Sequence, residues 1–211
     1  MVLVKICGIT NFADAFAAVN AGADALGFNF FPESPRYIKP EVARTIIDRL
    51  AESLSSDLLT VGVFVNESVE LVKKTAAVAG VSGLQLHGDE SPEYCKALEG
   101  YYLIKAFSAG DKFAPEIVRD YNVQAIMLDA FDRKAFGGTG KLSNWSAALE
   151  ASKFFPRLFL AGGLSAENVA DAIGQVNPYG VDACSRLESV PGRKDHGRVR
   201  NFVAAVRAAS V

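Results

Sequence analysis

The residues that could do chemistry follow short apolar segments, each at the point where the segment ends. They are Cys7, Asn29, Asn66, His87, Ser108, Asp129, Gly162, Gly163 and Ser185. Among them, the Cys7 thiol and the Asp129 carboxyl can exchange a proton near neutral pH once their surroundings tune them, and His87 is a third candidate. Each also has an ordinary structural interpretation, since a single cysteine is more often a small buried apolar residue and a single aspartate often caps a loop.

Two loops in the last third of the chain predict an anion site. Gly162-Gly163 precedes Ser165, which begins a predicted helix, and Cys184-Ser185-Arg186 follows the next apolar segment. Backbone N–H groups at a helix N-terminus bind phosphate, and glycine lets the backbone come close to it. We therefore favour a phosphate site that includes Ser185 and Arg186. The alternative is that the glycines only form tight turns.

The apolar segments are predicted to be parallel strands. They cover residues 2–6, 25–30, 59–65, 83–86, 102–106, 125–128, 158–161 and 180–183. Because these strands are uninterrupted apolar runs separated by helical patterns, about 26 residues per unit, they fit a single (β/α)₈ TIM barrel over residues 1–211. An open doubly wound sheet is the competing architecture, but no GxGxxG motif opens the first helix. In a barrel, the carboxyl ends of all strands meet at one face, so the candidate residues would converge there.

Apolar residues at helical spacing predict which helix faces point inward. The inward residues are Phe12, Phe16 and Val19 in the first helix, Val42, Ile46 and Leu50 in the second, and Ile117 and Tyr121 after the fifth strand. Thr10 or Asn11 would cap the first helix, and Ser165 would cap the helix after the seventh strand.

The composition excludes several classes of function. Half of the 211 residues are hydrophobic and the formal net charge is −2, so there is no basic footprint for nucleic acid. No apolar run is long enough to cross a bilayer and no signal-peptide pattern opens the chain, so a cytoplasmic protein without a membrane partner is expected. Cys7, Cys95 and Cys184 form no CxxC pair, and His87 and His196 are the only histidines. No metal framework is therefore expected.

Short motifs along the whole chain carry a family resemblance. They are Lys5 to Thr10 (KICGIT), Ser34-Pro35-Arg36, Val61 to Val65 (VGVFV), Gln85 to Gly88 (QLHG), Leu128-Asp129, Gly137 to Gly140 (GGTG) and Leu160 to Leu164 (LAGGL). In this order they resemble phosphoribosylanthranilate isomerase, a barrel enzyme of tryptophan biosynthesis. The resemblance implies an Amadori rearrangement of a small phosphorylated substrate without a cofactor, performed by a monomer or homodimer.

The resemblance also implies roles for individual residues. Cys7 aligns with the general base, Asp129 with the general acid, and Arg36 with the arginine near the anthranilate. The loops at 162–163 and 184–186 align with the phosphate cradle. Gly138, His87 and Asp182 fall on further motif positions and are expected to contact the substrate. The chemistry requires an Asp129 pKa raised by an apolar environment and a Cys7 pKa lowered by nearby positive charge.

The sequence departs from the family pattern in two places. Leu142-Ser143-Asn144-Trp145 keeps only the tryptophan of the usual Phe-Asp-Trp. Residues 184–188 read CSRLE where the family usually has SSGVE, so Arg186 occupies a glycine position. If the backbone there kept a positive φ, arginine would add about 1–2 kcal/mol of strain, and otherwise the loop has changed conformation.

Other functions stay open at this level. The related isomerase of histidine biosynthesis performs the same rearrangement, but it uses aspartate where this chain has Cys7 and binds two phosphates. A barrel that binds a phosphorylated metabolite without catalysis is a second alternative. A phosphate-binding lyase or epimerase is a third, although such epimerases need metal ligands that two histidines do not supply.

Overall fold

The structure is a computed structural model that describes residues 1–53, 58–110, 113–129 and 145–210. Gly138 of the predicted glycine loop and residues 142–144 of the divergent motif lie outside this range.

Parallel strands close into a barrel in the order of the sequence. They are β1 (Leu3–Ile6), β2 (Ala25–Asn29), β3 (Leu59–Phe64), β4 (Gly83–Leu86), β5 (Tyr102–Ser108), β6 (Ala125–Asp129), β7 (Leu158–Ala161) and β8 (Gly180–Ala183). β1 pairs with both β2 and β8, with Lys5 opposite Asp182 and Ile6 opposite Ala183. This closure confirms the predicted barrel and rules out the open sheet.

Helices follow most strands and cover the outside of the barrel. They are α1 (Phe12–Asn20), α2 (Pro40–Ser53), α3 (Val69–Ala79), α4 (Pro92–Lys96), α5 (Trp145–Phe154), α6 (Val169–Val176) and α7 (His196–Ala209). Asn11 caps α1, because its side chain accepts a hydrogen bond from the Asp14 N–H. A 3₁₀ helix at Pro115–Asp120 takes the place of the α-helix predicted after β5, and its buried residue is Val118. Ile117, predicted to anchor that helix, is instead 43% exposed.

Small residues decide which helix faces pack inward. Phe16 and Val42 were expected to be buried but are 38% and 45% exposed. α1 instead buries Ala15 and Ala18, and α2 buries Ala43 one position after Val42. Alanine lets a helix approach the sheet closely, so the larger apolar side chains are displaced to the edge of the contact.

A short hairpin between β8 and α7 was not predicted. Its strands are β9 (Glu188–Val190) and β10 (Arg193–Lys194), and a 3₁₀ turn at Ser185–Leu187 leads into it from β8. The hairpin is tied to α1, since the Asp14 carboxylate accepts from the Lys194 backbone N–H at 2.8 Å and bonds the His196 ring at 2.8 Å. The hairpin and the start of α7 are therefore held against α1, the helix that follows β1.

The strands contact two apolar cores, one inside the barrel and one between the strands and the helices, because successive side chains point to opposite faces of a strand. The interior core contains Val61, Ile104, Ala106, Ala125, Met127, Phe159 and Ala161. The larger outer core lies between strands and helices. Lys5, Gln85 and Asp182 share the inward register and are buried polar residues. In the described ranges, no helix is long and apolar enough to cross a membrane.

Candidate active site

Cys7 lies directly after β1, at the end of the barrel where β1 pairs with β8. Its backbone N–H donates to the Ala183 carbonyl at 3.0 Å, and the residue as a whole is 9% exposed. Gly27 on β2 leaves room for the sulfur, because a Cβ there would lie 2.7 Å from Cys7 Sγ and 3.1 Å from Lys5 Nζ. Lys5 is two residues before Cys7, and both the ammonium and the thiol lie against Gly27.

The charge beneath Cys7 is a buried ion pair. Lys5 Nζ donates to Asp182 Oδ1 at 2.7 Å, and the lysine side chain is fully buried. Burial alone would lower the pKa of Lys5, but Asp182 and Cys7 together raise it above its ordinary value. Lys5 therefore stays protonated, and Asp182 serves inside the site as its counter-ion.

The surroundings of Cys7 favour its thiolate. A hydrogen bond from the Cys184 thiol and the Lys5 charge lower the pKa of Cys7 to about 6, although burial acts in the opposite direction. The same hydrogen bond and burial raise the pKa of Cys184 well above its ordinary value. At neutral pH, Cys7 is thus the ionised thiol and Cys184 the protonated one. This is the lowered pKa that the chemistry of a base requires.

Arg36 is held in the mouth by a carboxylate from the hairpin. Its Nε and Nη2 donate to the two oxygens of Glu188 at 2.8 and 2.7 Å. Burial would raise the pKa of Glu188, but Arg36 and Lys194 together lower it below the ordinary value. Lys194, whose side chain is fully buried, donates to Glu188 Oε1 at 3.1 Å. The guanidinium is therefore fixed in one orientation with only two of its five N–H groups committed to Glu188.

His87 follows β4 directly and Asp129 is the last residue of β6, so both lie on another side of the mouth. The Gln85 side-chain amide donates to His87 Nδ1 at 2.8 Å, with the amide orientation assigned from this bond. Burial lowers the pKa of His87, and the nearby Asp129 charge only partly offsets this. The imidazole is therefore neutral, with its proton on Nε2, where it can donate to a ligand.

The two loops predicted to hold phosphate lie next to each other. Gly162 and Gly163 both have positive φ, 98° and 70°, which permits the sharp turn after β7. Helix α6 begins at Val169 rather than at Ser165, because the Asn168 side chain accepts from the Ser165 N–H at 2.9 Å and donates to the Gly163 carbonyl at 3.1 Å. Ser165 therefore belongs to the turn and not to the first turn of the helix.

Arg186 resolves the second departure from the family pattern. It is exposed in the 3₁₀ turn after β8, and its φ is not positive. The loop has taken a conformation that arginine adopts without strain, so the strained alternative is wrong. A cavity of about 460 Å³ lies between Ser165, Glu167, Ser185 and Arg186. The arginine charge is thus at the edge of the loops predicted to hold phosphate.

The structure brings most of the predicted residues to the barrel mouth. Cys7 and Asp182 both lie beside Lys5, and Arg36 lies beside Gly8, the residue after Cys7. His87 and Asp129 lie at the ends of β4 and β6, and the residues of the two loops line one cavity. Three residues of this site were not predicted, namely Lys5, Glu188 and Lys194, and Cys184 was predicted only as part of the phosphate loop at 184–186. The two-residue spacing of Lys5 and Cys7 was a usable signal, since in an extended chain it directs both side chains to the same side. The described residues contain no group of three or more His, Cys, Asp or Glu side chains arranged to hold a metal ion.

Comparisons with known proteins point to one family. The family model described as N-(5′-phosphoribosyl)anthranilate (PRA) isomerase matches residues 4–205. The chain is 48% identical over 208 residues to the N-(5′-phosphoribosyl)anthranilate isomerase of Geobacter metallireducens, covering 99% of this chain and 100% of that protein. It is 50% identical over 203 residues to that of Geobacter sulfurreducens, covering 96% and 97%.

Solved structures agree with these sequence relatives. The phosphoribosyl anthranilate isomerase of Thermotoga maritima superposes with a TM-score of 0.88 at 42% identity, covering 99% of this chain and 100% of that one. A phosphoribosyl anthranilate isomerase solved in complex with reduced 1-(o-carboxyphenylamino)-1-deoxyribulose 5-phosphate superposes at 0.85 with 40% identity and the same coverage.

Proposed function

Since the chain belongs to the N-(5′-phosphoribosyl)anthranilate isomerase family, we propose that Cys7 and Asp129 divide the proton transfers of its reaction. The enzyme isomerises N-(5′-phosphoribosyl)anthranilate to 1-(2-carboxyphenylamino)-1-deoxyribulose 5-phosphate in tryptophan biosynthesis. The observation that carries the assignment of the base is the location of Cys7 at the barrel mouth, beside the buried ammonium of Lys5.

Asp129 acts first, as the general acid. It gives its proton to the ribose ring oxygen, the bond between that oxygen and C1 breaks, and the nitrogen lone pair forms an iminium at C1. This step leaves Asp129 as a carboxylate. Its location at the end of β6, in the barrel mouth, supports the role because proton transfer needs a positioned acid near the reacting atom.

Cys7 acts second, as the general base. Its thiolate takes the proton from C2, and the electrons of that C–H bond form a double bond to C1 that neutralises the iminium. The resulting enolamine then tautomerises to the ketone. Because this scheme moves only protons and electron pairs within the substrate, it needs no cofactor.

The remaining residues bind the two ends of the substrate. Arg36, oriented by Glu188, faces the anthranilate carboxylate with its uncommitted N–H groups, a pairing for which guanidinium geometry is suited. His87 is proposed to bind the sugar, and Gly138 is proposed to do so on the strength of its family motif alone. Asp182 was expected to contact the substrate, but it acts on the site through its ion pair with Lys5. Gly162, Gly163, Ser185 and Arg186 bind the phosphate through backbone N–H groups, the serine hydroxyl and the arginine charge.

Several further properties form part of the proposal. The chain 1–211 acts as one barrel domain whose partner is a small phosphorylated molecule, not nucleic acid or a membrane. Cys7 must stay reduced to work as a base, which fits the cytoplasm. The protein works as a monomer or homodimer, and sedimentation analysis distinguishes the two. The related Thermotoga maritima enzyme is described as dimeric.

The test follows the loss of phosphoribosylanthranilate fluorescence. Cys7→Ala and Asp129→Asn should each lower kcat by at least ~10²-fold with smaller changes in KM, since positioned proton transfer contributes ~10²–10⁴-fold. Cys95→Ala is the matched control. Cys95 is buried in α4, and burial raises its pKa to about 11, so it should be dispensable. Near-normal turnover in either active-site variant would remove that residue from its role.

The pH profile supplies a second test of the base. A base works when deprotonated, so kcat/KM should fall tenfold per pH unit below the Cys7 pKa of about 6. Any decline at higher pH would follow the general acid and not Cys7. A profile that falls only below pH 4 would assign the base to a carboxylate. Turnover of the histidine-pathway substrate in place of phosphoribosylanthranilate would favour the alternative isomerase.

A further inference from the structure

Gln85 is a buried polar residue inside the barrel to which the proposed function assigns no part. It lies on β4, opposite Val63 of β3 and Ile104 of β5, and it is 1% exposed. Its amide Nε2 lies 2.8 Å from His87 Nδ1. Among the described residues, none bonds the other end of the amide, Oε1. In this part of the chain, the buried amide is thus satisfied only through the His87 ring.

The oxygen without a partner indicates which way the Gln85 amide is turned. A buried N–H group without a partner is rarer in proteins than a buried C=O group without one. Turning the amide over would place Oε1 on His87 Nδ1 and would leave both N–H groups of Nε2 unpaired among the described residues. The orientation with Nε2 on the ring is therefore the favoured one, and in it Nδ1 accepts the hydrogen bond.

The backbone on both sides of this contact is fixed. Gln85 lies within the parallel ladder of β3, β4 and β5, and the His87 backbone N–H donates to the Phe64 carbonyl at 2.8 Å. The imidazole can therefore move only by rotation about its side-chain bonds, and the bond from Gln85 opposes that rotation. Nε2 lies on the other edge of the ring and points away from Gln85. His87 also lines a cavity of about 600 Å³ at this end of the barrel.

Charged groups from four strands act on the His87 ring. They are Lys5 of β1, Lys105 of β5, Asp129 of β6 and Asp182 of β8. Lys5 is paired with Asp182 at 2.7 Å and Lys105 with Glu90 at 3.0 Å, so each cation already has a carboxylate beside it. Asp129 differs because, in the proposed reaction, it becomes a carboxylate when it gives up its proton. From that step on, its charge favours a protonated histidine beside it.

We propose that Gln85 is a positioning residue that holds His87 as a neutral hydrogen-bond donor and keeps it out of the proton transfers. The amide N–H occupies the Nδ1 lone pair, so the ring proton stays on Nε2, which donates to an oxygen of the sugar. With one nitrogen accepting from Gln85 and the other carrying the proton, the imidazole has no free lone pair to compete with Cys7 for the C2 proton. The inference rests on the proposed contact between His87 and the sugar.

Gln85→Glu reverses the direction of this hydrogen bond while keeping the shape of the side chain. A carboxylate has no N–H, so His87 Nδ1 must carry a proton in order to bond it. The negative charge also favours the imidazolium, since an opposite charge this close raises the pKa of a histidine by about 1–3 units. Below the raised midpoint, the imidazolium still donates from Nε2. Above it, the neutral ring keeps its proton on Nδ1, and Nε2 can only accept.

The experiment compares Gln85→Glu and Gln85→Met with the parent enzyme, each as the full-length chain. Nitrogen NMR of the imidazole rings gives the tautomer and the protonation midpoint of His87, and a His87→Gln sample separates its signals from those of His196. In the parent, His87 should carry its proton on Nε2 and titrate below its ordinary value of 6.5, because burial lowers its pKa. In Gln85→Glu, the proton should move to Nδ1 and the midpoint should rise by about 1–3 units. Gln85→Met controls for packing, and its midpoint should stay below that of Gln85→Glu.

Steady-state kinetics on the same samples measure what the tautomer does for the substrate. The quantity compared is the KM for phosphoribosylanthranilate in each variant, divided by the KM of the parent at the same pH. For Gln85→Glu, this ratio should be close to one below the measured His87 midpoint. Above that midpoint it should rise about three- to tenfold, the effect of losing one neutral hydrogen bond. For Gln85→Met, the ratio should not depend on pH.

The outcomes separate this inference from the proposed function. A parent His87 protonated on Nδ1, or an unmoved midpoint in Gln85→Glu, would overturn the role of Gln85. A KM ratio raised equally at all pH values in Gln85→Glu would also overturn it, because a packing defect gives that result. The expected NMR changes with a KM ratio of one throughout would instead refute the contact between His87 and the sugar. If Gln85→Glu does not fold, the parent tautomer and Gln85→Met decide, since a methionine variant that matches the parent in midpoint and KM would show that the amide is dispensable.

Discussion

Glu188→Gln is the substitution that best tests the charge cluster at the barrel mouth. The Glu188 carboxylate accepts two bonds from Arg36, one from Lys194 at 3.1 Å and one from the Gly192 N–H at 3.3 Å. Glutamine has nearly the same shape but no charge and only one acceptor oxygen. The change therefore leaves the buried Lys194 ammonium without its counter-ion.

The expected size of the effect follows from this burial. Removing one partner of a buried ion pair costs about 3–5 kcal/mol, and the remaining amide oxygen of glutamine keeps the cost near the lower end. For a chain of this size, about 3 kcal/mol corresponds to a fall in Tm of about 6–12 °C. Because Arg36 also loses its bidentate partner, KM for phosphoribosylanthranilate should rise more than kcat falls.

Thermal unfolding and steady-state kinetics on the same preparation give both numbers. Asp48→Asn is the control, since the exposed Arg44–Asp48 pair on α2 has a similarly short contact of 2.9 Å but is worth only about 0.3–0.5 kcal/mol, or about 1–2 °C. A Glu188→Gln Tm that matches the Asp48→Asn Tm would refute the buried cluster. An unchanged KM would refute the part of Glu188 in holding Arg36.

Three further substitutions test the rest of the site. Arg36→Ala should raise KM at least about tenfold and Arg36→Lys should not restore it, because an ammonium lacks the planar fork, while an unchanged KM would reject the contact. Gly27→Ala should lower kcat about tenfold or more by displacing Cys7 Sγ, whereas Gly174→Ala, where a Cβ meets nothing within 4 Å, should leave kcat unchanged. Arg186→Gly should raise KM and make it less sensitive to salt, and a salt dependence equal to the parent's would show that only the backbone matters there.

The strands were predictable because their apolar runs alternate with glycine-ended loops. Each predicted strand overlaps an observed one, and the polar residues that follow the strands meet at one mouth as parallel closure requires. The helix faces were less predictable. Asp14 is buried in α1 while Phe16 is exposed, because the Asp14 carboxylate bonds the Lys194 backbone and the His196 ring. Apolar periodicity cannot predict that Asp14 is buried by partners about 180 residues away in the sequence.

The candidate site divides in the same way. Cys7, Arg36 and Asp129 were identified from motifs, but the groups that tune them were not. Glu188 and Lys194 act from a hairpin whose strands of three and two residues are too short for an alternation pattern. Cys184 lies at the same level of the barrel as Cys7 only because of the β1–β8 register, which no local pattern specifies. The residues proposed to react were therefore predictable from the sequence, and the residues that reach them through long-range contacts were not.

The closing seam between β1 and β8 has a consequence for the newly synthesised chain. Cys7 is synthesised together with Lys5, but Asp182, the counter-ion of Lys5, follows Lys5 by 177 positions, and Cys184 and Lys194 come later still. An incomplete chain therefore carries an ordinary, largely protonated thiol at position 7. The reactive thiolate exists only once the last strand has docked, so incomplete or misfolded chains do not expose a strong nucleophile to electrophiles in the cell.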